Sequence, residues 1–178
     1  MLDFLKMKIK IIISFGLISF VLLLFYFGLK NENKYETFDL VGKKLSSFEL
    51  KSLDEKNVLN SKTLEKNNFT LINFWATWCA PCRKEHEYLM LLNKKTGLKI
   101  LGVNFKDKKE NALEFLQTLG NPYYLLAIDR DGRSSVNFGI YGIPESILVD
   151  KELTIIKKFN GPINSDNYQE IVKIVNNL

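Results

Sequence analysis

The stretch Trp75–His86, W-A-T-W-C-A-P-C-R-K-E-H, holds both cysteines of the chain, Cys79 and Cys82, two residues apart. An apolar run, Phe69–Trp75, precedes it and a helical pattern follows it. The combination predicts a strand, a tight turn and a helix N-terminus with a dithiol at the junction. A thiolate, not a thiol, attacks a disulfide. Unpaired N–H groups and the helix dipole favour the anion at a helix N-terminus, where a thiol pKa falls from about 8.5 to roughly 7 or lower. Cys79, just ahead of the helix, is expected to be the exposed attacking thiol. Cys82, one turn in, is expected to be more shielded and to resolve a mixed disulfide. Pro81 suits a first-turn position because it has no N–H to leave unpaired.

Other uses of a C-x-x-C fit less well. A zinc site needs about four ligands, and beyond the two cysteines only His86 is a thiol or imidazole candidate. A c-type haem attachment needs C-x-x-C-H, and Arg83 occupies the histidine position. A purely structural disulfide would close a very short loop and stabilise little. Thiol–disulfide redox chemistry is the reading the spacing favours.

Ile11–Leu29 is nineteen residues without a charge. As a helix it measures about 28 Å at roughly 1.5 Å per residue, close to the bilayer core of about 30 Å. A cleaved signal peptide would have a shorter apolar core and a small-residue cleavage site, and the run ends instead in F-Y-F-G-L-K. The expected layout is a short tail (1–10), a transmembrane anchor (11–29), a linker (30–40) and one domain (41–178). Lysines flank the span on both sides, so charge alone leaves the orientation balanced; the short N-terminal tail favours an inside N-terminus and a translocated domain. The net charge of +5 does not point to nucleic acid, because +3 of it lies in residues 1–30 and no basic stripe is interleaved with aromatics.

After an N-terminal strand or hairpin in Leu45–Leu53, the domain reads β-α-β-α-β-α-β-β-α. The strands are placed at Phe69–Trp75, Lys99–Phe105, Tyr124–Ile128, Glu145–Asp150 and Thr154–Phe159. Helices are expected at Cys82–Lys95, from an Asp107 cap with Glu110 as its capping-box partner, near Ser134–Phe138, and over Ser165–Val175. The second helix would bury Ala112, Leu113, Leu116 and Leu119. Parallel crossovers followed by an antiparallel hairpin predict an α/β fold, a mixed sheet with helices on both faces.

W-A-T-W-C-A-P-C, the later Ile143-Pro144 before a strand, and this element order resemble the thioredoxin superfamily. The anchor, Leu40-Val41-Gly42-Lys43, G-V-N-F-K-D (Gly102–Asp107), L-G-N-P-Y (Leu119–Tyr123) and Y-G-I-P-E-S (Tyr141–Ser146) resemble one branch, the membrane-anchored DsbE/CcmG family. The resemblance implies a thioredoxin-like domain with a cis Ile143-Pro144 bond, on the periplasmic side of the inner membrane. It implies a protein-disulfide reductase of cytochrome c maturation, with apocytochrome c or a partner thiol protein as substrate and a DsbD/CcdA-type membrane protein as electron donor. No cofactor beyond the Cys79–Cys82 dithiol is implied. The family's acidic residues map onto Glu85 and Glu145; Ile143 and Pro144, with Trp78 beside Cys79, are expected to line the substrate groove. Asn73 stands where thioredoxin has a buried Asp, so proton acceptance from Cys82 would pass to Glu145 or Glu85.

A carboxylate about 6 Å from a thiolate, at an effective dielectric near 20, costs roughly 3 kcal/mol, and the helix dipole returns about 1 kcal/mol. A less stabilised thiolate makes a better reductant. By residue type alone, Glu85 fits an exposed helical carboxylate equally well, His86 a helix-surface residue, Trp75 the core, Trp78 a partly exposed wall and Tyr141 a packing contact. The same site chemistry would serve a general extracytoplasmic disulfide reductase or oxidase. A non-catalytic anchored interaction module with an idle dithiol is the reading of another class.

Overall fold

A computed structural model describes residues 2–30 and 40–176; the expected linker falls almost wholly outside them. Helix α1 (Leu2–Lys30) is a unit by itself. Its Lys8–Gly28 stretch is long and apolar enough to cross a membrane, and none of that stretch is buried.

The second unit is built on one seven-stranded sheet. A hairpin of β1 (Glu49–Ser52) and β2 (Val58–Asn60) leads through α2 (Ser61–Leu64) to β3 (Phe69–Trp75). Then follow α3 (Ala80–Thr96), β4 (Lys99–Phe105), α4 (Lys109–Leu119), β5 (Leu125–Asp129), α5 (Arg133–Asn137), β6 (Glu145–Asp150), β7 (Ile155–Asn160) and α6 (Ser165–Asn176). The strand order is β2-β1-β5-β4-β3-β6-β7. The pairs β3–β4 and β4–β5 are parallel, and β3–β6 and β6–β7 antiparallel. This is the mixed sheet the element order predicts.

Strand side chains alternate between faces, and β3 shows why an apolar run belongs at the centre. Leu71 and Trp75 enter a core with α3, α4 and α6 residues, while Ile72 and Phe74 enter the core on the other face with Leu50, Leu64 and Phe138. Asn73 has the parity of Leu71 and Trp75, so an amide is buried on the α3 face. Its register partners on either side are Ser146 of β6 and Gly102 of β4. Three neighbouring strands thus present Ser, Asn and Gly in one row, a small polar gap in an apolar core.

Two expectations for the helices are corrected. Asp107 does not cap α4: Lys108 is the cap residue and makes no side-chain cap bond. The carboxylate of Asp107 accepts from Thr77 N–H (2.6 Å), Thr77 Oγ1 (3.0 Å) and Asn104 Nδ2 (3.1 Å) instead. The buried face of α4 is Ala112, Phe115 and Leu116, while Leu113 and Leu119 are exposed. A helix whose apolar residues exceed one stripe leaves the face undecided by spacing, and Phe115, whose ring meets Trp75 at a tilt and His86 edge to face, takes the inner position.

Candidate active site

Strand β3 ends against the loop 76–79, and α3 begins there. Cys79 is the N-cap residue, with extended backbone (φ −85°, ψ 107°), and Pro81 lies in the first turn. The backbone N–H of Cys82 donates to Cys79 Sγ at 3.2 Å. The sulfur therefore occupies the place a Ser or Asp oxygen takes in an ordinary helix cap, and an anion there gains both the amide and the dipole. At the far end Gly97 (φ 69°) closes α3 in the left-handed region, its N–H on Asn93 O.

The two cysteines are joined as a disulfide with Cα atoms 5.3 Å apart. In this form the expected difference in exposure is absent: Cys79 is 4% and Cys82 3% exposed. Position separates them, since only Cys79 stands at the helix end.

The loop ahead of Cys79 is tied from two sides. Besides the Thr77–Asp107 bonds, Trp78 Nε1 donates to Lys106 O at 3.1 Å, and Arg83 Nε donates to Thr77 O at 3.1 Å. Burial pushes the Asp107 carboxyl up, but its hydrogen bonds from Thr77, Asn104 and Lys108 outweigh that and hold it below the usual range. Trp78 stays 59% exposed and walls a groove of about 460 Å³ with Arg83, Phe115 and Leu119. A roomier concavity of about 790 Å³ lies at the opposite end of β3 and β4, by Phe69 and Lys99, and contains none of the dithiol residues.

Glu85, one turn beyond Cys82, is 1% exposed, so the exposed-carboxylate reading is set aside. Residues three apart share a helix face, and this face is the one turned to the Asn73 row. Glu85 Oε1 accepts from Asn73 Nδ2 at 2.8 Å, and Oε2 accepts from Ile163 N–H at 2.8 Å. Asn73 Nδ2 also donates to Ser146 Oγ (3.0 Å), and its Oδ1 accepts from Tyr123 O–H (3.0 Å). Among the described residues no Lys or Arg pairs with Glu85. Burial raises its pKa from the ordinary 4.5 to about 7, against the two hydrogen bonds that lower it. Burial, and secondarily the nearness of Glu85, holds Tyr123 well above its usual pKa, so the phenol keeps its proton as a donor. The Tyr123 ring stacks on Trp75 (5.3 Å, 20°) across Gly102, where a Cβ would sit 2.6 Å from the ring.

His86 is also corrected: it is buried, not on the helix surface. Its Nε2 lies 3.0 Å from Gly120 O. A carbonyl only accepts, so that nitrogen carries the hydrogen. Burial lowers the pKa and keeps the ring neutral. Its nearest role is to pack α3 against the loop that delivers Tyr123.

The loop 139–144 precedes β6. Its Ile143-Pro144 bond is cis, and Ile143 packs against the apolar cluster that contains both cysteines. Glu145, at the start of β6, is 8% exposed. Its Oε2 is 2.8 Å from Lys158 Nζ, and its Oε1 accepts from the N–H groups of Gly142 (3.1 Å) and Tyr141 (3.3 Å). Tyr141 is not a packing residue, being 75% exposed with Lys158 Nζ 5.8 Å from its ring centre. Glu145 has the parity of Ile147 and Val149, which belong to the core on the face away from α3. The two acids therefore lie on opposite faces of the sheet.

A buried disulfide at a helix N-terminus, one helical turn from a protonatable buried carboxyl, is equipped to exchange electron pairs with another disulfide, and on this sheet it defines a thioredoxin-like thiol:disulfide oxidoreductase whose redox centre is Cys79–Cys82. Comparison with known proteins narrows the class. The Redoxin family model matches residues 40–173. The thiol:disulfide interchange protein DsbE of Vibrio cholerae serotype O1 is 41% identical over 131 residues, 74% of this chain and 71% of that protein. The DsbE of Allochromatium vinosum is 32% identical over 164 residues, 92% of this chain and 91% of that one. The solved thioredoxin domain of a thiol-disulfide oxidoreductase from Bacteroides vulgatus superposes with a TM-score of 0.63 at 26% identity, covering 76% of this chain and 97% of that one. The chain belongs to the DsbE family of thiol:disulfide interchange proteins.

Proposed function

We propose that the protein is a membrane-anchored reductant on the periplasmic side of the inner membrane, acting on apocytochrome c or a thiol protein of cytochrome c maturation. Residues 11–29 serve as the anchor, with 1–10 as tail, 30–40 as linker and 41–178 as the catalytic domain. The observation that carries the direction is Glu85: a buried carboxyl on the dithiol's own face of the sheet, with no Lys or Arg paired to it among the described residues. Its charge opposes a thiolate nearby, and an electrostatically less favoured thiolate shifts the couple toward giving electrons away.

In the reduced protein the Cys79 thiolate attacks one sulfur of the target disulfide. The target S–S bond breaks, a Cys79–target disulfide forms and the other target sulfur leaves as a thiolate. Cys82 then loses its proton, for which the Glu85 carboxylate is the acceptor, and its sulfur attacks Cys79. The Cys79–Cys82 disulfide forms, and the target departs with both electrons as a dithiol. Trp78, Ile143 and Pro144 form the surface on which the target lies. A DsbD/CcdA-type membrane protein returns the electron pair.

The test is the resting state of Cys79 and Cys82 in cells, by acid quench and thiol alkylation. A mainly reduced dithiol is expected. A mainly oxidised one, with the donor pathway intact, would favour an oxidase or an idle disulfide and remove the cytochrome maturation role.

A further inference from the structure

Lys158 is a lysine where the fold has no need of one for solubility: its side chain is 3% exposed. Burial leaves its ammonium three neighbours. Glu145 Oε2 is at 2.8 Å, Gly139 O accepts at 2.6 Å, and the Tyr141 ring faces it at 5.8 Å. Glu145 passes its other oxygen to the N–H groups of Tyr141 and Gly142. Every group the pair holds therefore belongs to the loop from Gly139 to Glu145. Lys158 grips that stretch at Gly139 and at Glu145, the first residue of β6, and the cis Ile143-Pro144 bond lies between.

An ion pair is a poor device for stability at such a place. Both charges lose their water, and apolar residues of similar volume often stabilise a core as well or better. Its better-attested use is to select one conformation among several. The position also separates the pair from the sulfur chemistry. Lys158 pairs with Ile147 in the β6–β7 register and so shares the face of Ile147 and Glu145, whereas both cysteines lie in the cluster on the α3 face.

We infer that Lys158 is a positioning residue for the disulfide-exchange reaction: paired with Glu145, it fixes the proline loop on which the target chain docks, and it acts on docking rather than on the reactivity of Cys79. This rests on the reading of Ile143 and Pro144 as part of the target-binding surface. Glu145 is thereby a tie within the loop, not a tuner of the thiols.

The experiment uses the full chain in detergent, with a synthetic peptide closed by an internal Cys-x-x-Cys disulfide as probe and dithiothreitol as recycling reductant. Lys158→Met leaves an unpaired buried carboxylate and risks unfolding, so the informative variant is Lys158→Met/Glu145→Gln, which buries no lone charge. Displacement of a docking element costs on the order of tenfold or more, so KM for the peptide is expected to rise at least tenfold. A loss confined to KM marks lost binding rather than lost chemistry, so kcat and the pH profile of Cys79 alkylation should hold. Lys158→Arg, which keeps the charge, should recover part of the loss. A wild-type KM in the double variant overturns the inference, as does a fall in kcat with a shifted alkylation profile. If the wild-type chain leaves the peptide oxidised, the proposed reductase function falls, and this inference with it.

Discussion

Glu85 and Glu145 are both buried carboxyls, both next to elements that frame the dithiol, and among the described residues only Glu145 has a cation beside it. Glu145 meets Lys158 at 2.8 Å and spends its remaining oxygen on two loop amides. Glu85 meets an Asn73 amide and the Ile163 N–H, and burial carries its pKa to about 7. Burial alone does not decide what a carboxyl does. Beside an ammonium, Glu145 ties loop and strand together; among neutral donors, Glu85 changes charge near neutral pH. The two carboxyls lie on opposite faces of the sheet, and Ile143 of the proline loop packs against the cores of both.

The largest effect that could break this contrast comes from removing the cation. Lys158→Met should destabilise the domain by about 3–5 kcal/mol, the usual consequence of leaving a buried charge unpaired. Adding Glu145→Gln should recover most of that in urea unfolding at pH 7. If the single variant is no less stable than the double, Glu145 does not depend on Lys158 and the distinction between the acids fails.

The next effect belongs to Glu85 and is read from pH. The folded pKa of about 7 lies above the ordinary 4.5, so between those values the folded state holds a proton that the unfolded state has released. Stability from this group is full below about pH 4.5 and is lost as pH rises through 7. The gap corresponds to about 3 kcal/mol. In the oxidised protein, the stability of wild type minus that of Glu85→Gln should fall by that order from pH 4.5 to 7.5 and then level off. A difference flat across this range would show that folding does not raise the Glu85 pKa, leaving a carboxylate too weakly basic to take the Cys82 proton.

The sheet, its central strand and the dithiol junction were legible because each rests on local signals: an apolar run, C-x-x-C and Pro81 in the first turn. What stayed hidden depends on register. Glu85 was singled out by the resemblance and by its place one turn from Cys82, but its spacing fits an exposed helical acid equally well until Asn73 is known to face it across the core. Lys158 was missed for a sharper reason. The β6–β7 pairing shifts register between Leu148 and Val149, so Ile155 and Lys158, three apart, share a face. A bulge of that kind breaks the alternation from which inward residues are read. Tyr123 stood within the L-G-N-P-Y segment, but its role needs Gly102 beside Asn73, a pairing between strands that no spacing along the chain reveals. Asp107 misled because an Asp ahead of a helical pattern reads as a cap, and the acceptor was already taken by Thr77.

The smallest effect tests how Glu85 is held. Tyr123 O–H is the donor that fixes the Asn73 amide with its oxygen away from Glu85 and its nitrogen toward it. Tyr123→Phe removes one oxygen and keeps the ring stacked on Trp75. It leaves Asn73 Oδ1 buried without its donor, a loss of about 1 kcal/mol. With the amide no longer held, the Asn73 bond that lowers the Glu85 pKa weakens. The Glu85 carboxyl, followed by carbon NMR in labelled protein, should then titrate above about 7. The opposite displacement, downward, would mean that the phenol holds Glu85 protonated rather than orienting its partner, and Asn73 would lose its place as the link between them.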